Sequence, residues 1–109
     1  RAALAAAGIA ATLDGDPEAI SPEAGAVLAM TLREAVTNVI RHAGATQCRL
    51  SVGAADGVAR LAVVDDGRGG SFREGFGLSG MRQRLTAAGG SLTLGPADPG
   101  TRVEATVPA

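Results

Sequence analysis

The sequence predicts an α+β fold, a two-layer α/β sandwich whose mixed, mostly antiparallel sheet carries its helices on one face. Three observations predict it. The stretch Ser21–His42 keeps apolar residues at helical spacing behind a Ser-Pro-Glu start. Two pairs of short alternating segments are joined by turn sequences, Asp56-Gly57 and Gly95-Pro96-Ala97-Asp98-Pro99-Gly100. Hydrophobic residues make up 46% of the chain and charged residues 19%, a balance that suits a packed core rather than disorder. At 109 residues the chain, 1–109, is read as one domain with a core of its own.

In chain order, Arg1–Ala7 is Ala-rich and reads as the end of a helix stopped by Gly8. The chain begins without Met inside that helix, so 1–7 is expected to be the tail of a linker helix arriving from upstream, and the chain an excised domain. Ile9–Leu13 is an edge strand and Asp14-Gly15-Asp16-Pro17 a turn. Ser21 is placed as an N-cap, Pro22 at the first helical position and Glu23 in the first turn. Leu28, Leu32, Ala35, Val36 and Val39 carry that helix to His42, and Gly44 closes it. In Gln47–Val52, Cys48, Leu50 and Val52 alternate with Gln47, Arg49 and Ser51, as in a half-buried strand. Asp56-Gly57 turns a hairpin into Val58–Val64, which delivers Asp65 at its end. Leu78–Ala88 is a helix ended by Gly89-Gly90, and Ser91–Leu94 and Thr101–Val107 form the last hairpin. No internal repeat or low-complexity linker interrupts this order.

Composition removes several function classes. A net charge of -1 argues against nucleic acid as a partner. All ten cationic residues are Arg, so chemistry that needs a P-loop lysine is excluded, whereas bidentate phosphate contacts are favoured. His42 is the single His, which excludes zinc sites and a Ser-His-Asp triad. Cys48 is alone, cannot form an intrachain disulfide, and reads as a small buried hydrophobe in a reducing compartment. The longest apolar run, Ala2–Leu13, is shorter than the roughly 20 residues a bilayer requires, so no direct membrane contact is expected.

Val63–Arg84 holds six glycines, at 67, 69, 70, 75, 77 and 80, behind the pair Asp65-Asp66. Glycine at this density serves positive φ or close approach of backbone to a ligand. A glycine-rich loop leading into a helix start offers free N–H groups and a positive dipole end, which suits phosphate. The reading is a nucleotide site. Glu34, Asn38, Arg41 and His42 share one side of the long helix, within an arc of roughly 100° at about 100° per residue. Taken alone that stripe reads as a solvated face. Beside the glycine-rich loop it reads as the other half of a site, because Asn and Glu oxygens suit Mg²⁺ and Arg41 and His42 can meet phosphate. For His42, a role at the helix C-terminus is an equal alternative.

These residues resemble a known family. Glu34-x-x-x-Asn38-x-x-Arg41-His42 is similar to the N box of the ATP-binding catalytic domain of bacterial sensor histidine kinases. Asp65-x-Gly67-x-Gly69 resembles the first glycine box, Gly75-x-Gly77-Leu78-x-Gly80-Met81-x-x-Arg84 the second, and Gly100-Thr101 with Val107-Pro108 the closing strand. All four occur in order, covering about Gly8 to Ala109. The wording Gly-Leu-x-Gly-Met-Arg-x-Arg points to the DesK-like and NarX-like kinases that phosphorylate LuxR-type response regulators. The wider superfamily, with the Bergerat fold, includes type II topoisomerases, MutL-like ATPases and anti-sigma serine kinases.

The resemblance implies ATP and Mg²⁺ as cofactors and a role for each residue. Asp65 would accept a hydrogen bond from the adenine 6-amino group. Gly67 and Gly69 would let the backbone approach adenine and ribose. Asn38 would bind Mg²⁺, and Glu34 would hold a metal-bound water. Arg41 and His42 would lie near phosphate or ribose. Gly75, Gly77, Leu78 and Gly80 would line the phosphates. Thr101 would sit under the adenine and support Asp65. Ser71–Glu74 would be a short lid, in which Arg73 is either a γ-phosphate contact or a solvated charge. Arg82 and Arg84 are read as helix surface, and Asp66 as either a second polar contact or a solvated residue. The phosphoacceptor His would lie on an upstream dimerisation domain, with the LuxR-type regulator reached through the parent protein. This chain would be a cytoplasmic part of a parent anchored in the inner membrane. An anti-sigma-factor serine kinase and a non-catalytic nucleotide-binding module stand as alternatives.

Overall fold

The computed structural model describes residues 2–16, 20–67, 78–97 and 99–109. Its five strands are β1 (Ala10–Gly15), β2 (Gln47–Ala55), β3 (Val58–Asp65), β4 (Ser91–Pro96) and β5 (Thr101–Pro108). They form one sheet in the order β1-β2-β3-β5-β4. β1 pairs parallel to β2 and every other pairing is antiparallel. The helices are α1 (Ala2–Ala6), α2 (Pro22–Asn38) and α3 (Leu78–Ala87). The expected α+β sandwich with a mixed, mostly antiparallel sheet is what the chain builds.

α2 starts where its sequence says. Ser21 is extended, its hydroxyl accepts from the Ala24 amide at 3.2 Å, and Pro22 follows in a position that needs no amide hydrogen. Leu28, Ala35 and Val39 are buried on one stripe, against Leu50, Leu61 and Val63 of the sheet and Val103, Ala105 and Val107 of β5. Met81 and Leu85 seal α3 onto the same core with no exposed surface. Leu4 is equally buried, so α1 is docked on the body through one side chain.

Three local expectations change. Asp14 and Gly15 of the predicted turn at 14–17 belong to β1, because Gly15 still pairs with Val52, and Pro17 lies outside the described residues. The φ of +107° at Gly15 admits only glycine without strain, and a Cβ there would lie 1.7 Å from the Val52 carbonyl oxygen. Second, β4 runs on to Pro96, which is tolerated because β4 is a sheet edge and needs no outward donor. Third, α2 stays α-helical only to Asn38. Val39–Ala43 form a π-helical turn, closed by Gly44 at φ +63°. Arg41 and His42 therefore belong to a π-helical turn rather than to a continuation of the α-helix.

The hairpin at Asp56-Gly57 has φ of 54° and 76°, the mirror-turn geometry that follows the strands' twist. On the face of the sheet away from the helices, Glu104 accepts from Arg102 at 2.8 Å and from Arg60 at 3.2 Å.

Candidate functional site

Connectivity gathers the site at one end of the sheet. α2 runs through its π-helical turn and Gly44 into the start of β2, and Cys48 there pairs with Asp65, the last residue of β3. On its other side Asp65 pairs with Thr101, the first residue of β5. α3 leads into Ser91, which pairs with Thr106 at the far end of β5, so its N-terminus faces the Asp65 end. The C-terminal end of α2, the ends of β3 and β5 and the start of α3 therefore converge.

Asp65 continues the inward alternation of Ala59, Leu61 and Val63 and is only 1% exposed. Its Oδ1 accepts from the Gly67 amide at 2.9 Å, whereas its Oδ2 is buried with no hydrogen-bond partner among the described residues. Burial pushes this carboxyl above the ordinary Asp value, and the neighbouring Asp66 charge adds to the push. The Gly67 amide, and behind it that of Thr101, oppose the shift. A buried carboxylate oxygen left open costs stability unless something donates to it. Thr101 is 6% exposed directly across from it. Gly100 carries φ +106° and packs on the Asp65 backbone. Cys48 is 3% exposed on the other side, its thiol raised to about 11 by burial first and then by Asp65 and Asp66.

Asn38 is buried at 4% exposure, although a solvated stripe would have left it in water. Glu34 is half-buried one turn earlier on the same face. No cluster of three or more His, Cys, Asp or Glu side chains occurs among the described residues, so they offer no all-protein metal cage. One amide oxygen and one nearby carboxylate instead fit Mg²⁺, which keeps its waters and shares substrate phosphates. Arg41 is exposed on the π-helical turn. Gly80 is half-buried in the first turn of α3. The side chains of His42 and Leu78, and residues 68–77 with Gly69, Ser71, Arg73, Gly75 and Gly77, lie outside the described residues.

One side chain, Arg84, departs from its sequence reading, and two others take partners that the sequence did not show. Arg82 donates to the Leu92 carbonyl at 3.2 Å and pins α3 to β4. Arg84 is half-buried rather than surface, with its Nε buried and its guanidinium 3.3 Å from where a Cβ on Gly80 would lie. Asp66 is tied into the fold by hydrogen bonds that the sequence did not show. Its Oδ1 accepts from the amides of Thr46 at 2.9 Å and Gln47 at 2.8 Å, and its Oδ2 from the Thr46 hydroxyl at 2.8 Å. Those donors, Gln47 foremost, hold its carboxyl below the ordinary value. Consecutive residues at a strand end tend to point to opposite faces, the signal that separates Asp66 from the inward-facing Asp65.

A family profile described as "Histidine kinase-, DNA gyrase B-, and HSP90-like ATPase" matches residues 24–109. The chain is 37% identical to the signal transduction histidine-protein kinase/phosphatase UhpB of Salmonella typhimurium, over 96% of this chain and 22% of that protein. It is 40% identical to the sensor histidine kinase DesK of Bacillus subtilis, over 84% of this chain and 26% of that one. It thus spans about a quarter of the length of the curated relatives it matches. In fold it is similar to the blue-light activated histidine kinase of Erythrobacter litoralis EL346, with a TM-score of 0.80 at 23% identity over 98% of this chain and 38% of that one. It is likewise similar to the ATP binding domain of PrrB from Mycobacterium tuberculosis, with a TM-score of 0.71 at 24% identity over 94% and 81%.

Proposed function

Because the chain belongs to the family of histidine kinase-, DNA gyrase B- and HSP90-like ATPases, we propose that it binds Mg-ATP and presents the γ-phosphate to a histidine on another domain of a sensor kinase. The observation that carries this is the buried Oδ2 of Asp65, an acceptor with no hydrogen-bond partner among the described residues, while the other oxygen is already held by the Gly67 amide. The adenine 6-amino group donates to such an acceptor. Guanine presents a carbonyl there and is refused, which gives base selection from one atom.

The other roles are those that the family resemblance implies. Asn38 and Glu34 are the residues that would hold Mg²⁺, Asn38 through its oxygen and Glu34 through a water. Arg41 and His42 lie on the phosphate or ribose side. Gly67 and Gly69 leave room for the nucleoside. Gly75, Gly77, Leu78 and Gly80 would meet the phosphates at the helix start of α3, and Thr101 would support the base from β5. The bound ion would neutralise phosphate charge, and the protein groups would position the nucleotide, which is most of what phosphoryl transfer requires.

The wider assignments rest on the relatives. The chain is one catalytic ATP-binding domain, 1–109, with 1–7 the tail of an upstream linker helix docked through Leu4. The acceptor His lies on an upstream dimerisation domain, the onward partner is a LuxR-type response regulator, and the domain works in the cytoplasm beneath a membrane-anchored parent. No helix among the described residues is long and apolar enough to cross a membrane. Labelled ATP given to the parent protein tests the reading. Acid-labile phosphate on His is expected, whereas acid-stable phosphoserine on a partner would favour the serine-kinase alternative and overturn this one.

A further inference from the structure

Asp66 takes no part in the binding roles above, yet its carboxylate is held by three hydrogen bonds. Its carboxylate collects three donors from Thr46 and Gln47 at 2.8–2.9 Å, and its own amide donates to the Gln47 carbonyl at 3.2 Å. Thr46 is a junction, since its carbonyl also accepts from the Ala10 amide at the start of β1, at 2.9 Å. Asp66 thereby ties the end of β3 to the starts of β1 and β2 and to the segment that leaves the π-helical turn.

Asp66 is also the middle residue of the tight turn in which the Gly67 amide holds Oδ1 of Asp65. Rotation at Asp66 would swing Gly67 away from Asp65 and free that carboxylate to turn. A strand end frays easily, and here the Asp66 carboxylate takes the Gln47 amide in place of a backbone carbonyl. We propose that Asp66 is a positioning residue for base recognition: its clasp on Thr46 and Gln47 locks the Asp65–Gly67 turn and so keeps Oδ2 of Asp65 aimed at the base. This inference rests on the nucleotide reading above and adds to it the residue that sets how sharply the base is read.

A role in folding alone would change stability and leave base preference untouched. The test therefore measures the affinity ratio of Mg-ADP to Mg-GDP by titration calorimetry, at a temperature where each variant is folded by circular dichroism. Asp66→Ala is expected to lower that ratio at least about fivefold. Asp66→Asn, whose side-chain oxygen still accepts from both amides, is expected to stay within about twofold of the unmodified chain. Asp66→Glu keeps the charge but displaces the carboxylate by one methylene, is expected to behave like the alanine variant, and decides the matter if that variant does not fold. Amide hydrogen exchange without nucleotide is read in parallel, and Thr46, Gln47 and Gly67 are expected to exchange at least about tenfold faster in the alanine or glutamate variant. An unchanged ratio in folded Asp66→Ala or Asp66→Glu, or an equal loss in Asp66→Asn, overturns the positioning role. Faster exchange with no nucleotide bound by any form overturns the nucleotide reading, and the positioning role with it, but not the clasp. Unchanged exchange overturns the clasp itself.

Discussion

Gly100 lies so close against Asp65 that a Cβ on it would sit 1.8 Å from the Asp65 carbonyl oxygen. The two residues face each other where β3 ends and β5 begins, and the φ of +106° at Gly100 turns the chain into Thr101. Gly100→Ala must therefore both strain φ and push the Asp65 backbone away. A loss of roughly 3 kcal/mol in stability is expected, from left-handed strain together with overpacking. Denaturant melts of the two proteins check it. A loss below about 1 kcal/mol would show that the β3–β5 junction yields freely.

Asp65 itself is expected to separate binding from stability. A charge-assisted hydrogen bond is worth about 1.5–3 kcal/mol, so Asp65→Asn should weaken Mg-ADP binding by about 10- to 150-fold. The same change removes a buried charge with an open oxygen, so the variant should melt at or above the temperature of the unmodified chain. Calorimetric titration and a thermal melt on one sample read both. Undiminished affinity would remove Asp65 from base recognition.

Acid should silence the site before it loosens the fold around it. Asp65 has a raised pKa, so the folded chain holds that proton more tightly than the unfolded chain. Its ionisation lowers stability as pH rises from the ordinary 3.8 through the raised value, and nucleotide affinity appears over that same rise. Asp66 has a lowered pKa, so its stabilising effect is complete above the ordinary 3.8 and is lost only as pH falls through the lowered value. On acidification from neutrality, affinity for Mg-ADP should therefore fall while the thermal melt is still intact. Affinity that stays constant down to about pH 4 would contradict the assignment of Asp65.

The bare face of the sheet supplies a control. Glu104 bridges Arg60 and Arg102, and its carboxyl is held low chiefly by Arg102. These are exposed pairs, so Glu104→Gln is expected to cost no more than about 1 kcal/mol and to leave nucleotide affinity unchanged. A large loss of affinity would mean that this face communicates with the site.

The fold was legible because its punctuation is local. Ser21-Pro22, Asp56-Gly57 and Gly89-Gly90 each mark a boundary through their own backbone chemistry, and the alternation of Val103, Ala105 and Val107 assigns a buried face. What local pattern does not contain is pairing. The parallel partnership of β1 with β2 extends that strand to Gly15, and the π-helical turn after Asn38 lies in the connection that enters β2 at Gln47. The same holds at the site. Spacing alone suggested that Asp65, Asn38 and Gly80 act together, and connectivity brings them to one sheet end. The work of Asp66 was hidden because its partners, Thr46 and Gln47, are 20 and 19 residues away in sequence.

The central claim is that this chain is a Mg-dependent adenine-nucleotide site, and titration of the isolated chain with ATP tests it most directly. Saturable one-to-one binding is expected with Mg²⁺ present, weakened when the ion is chelated and weakened in Asn38→Ala. No saturable binding of ATP or ADP with Mg²⁺ at millimolar concentration would contradict the account.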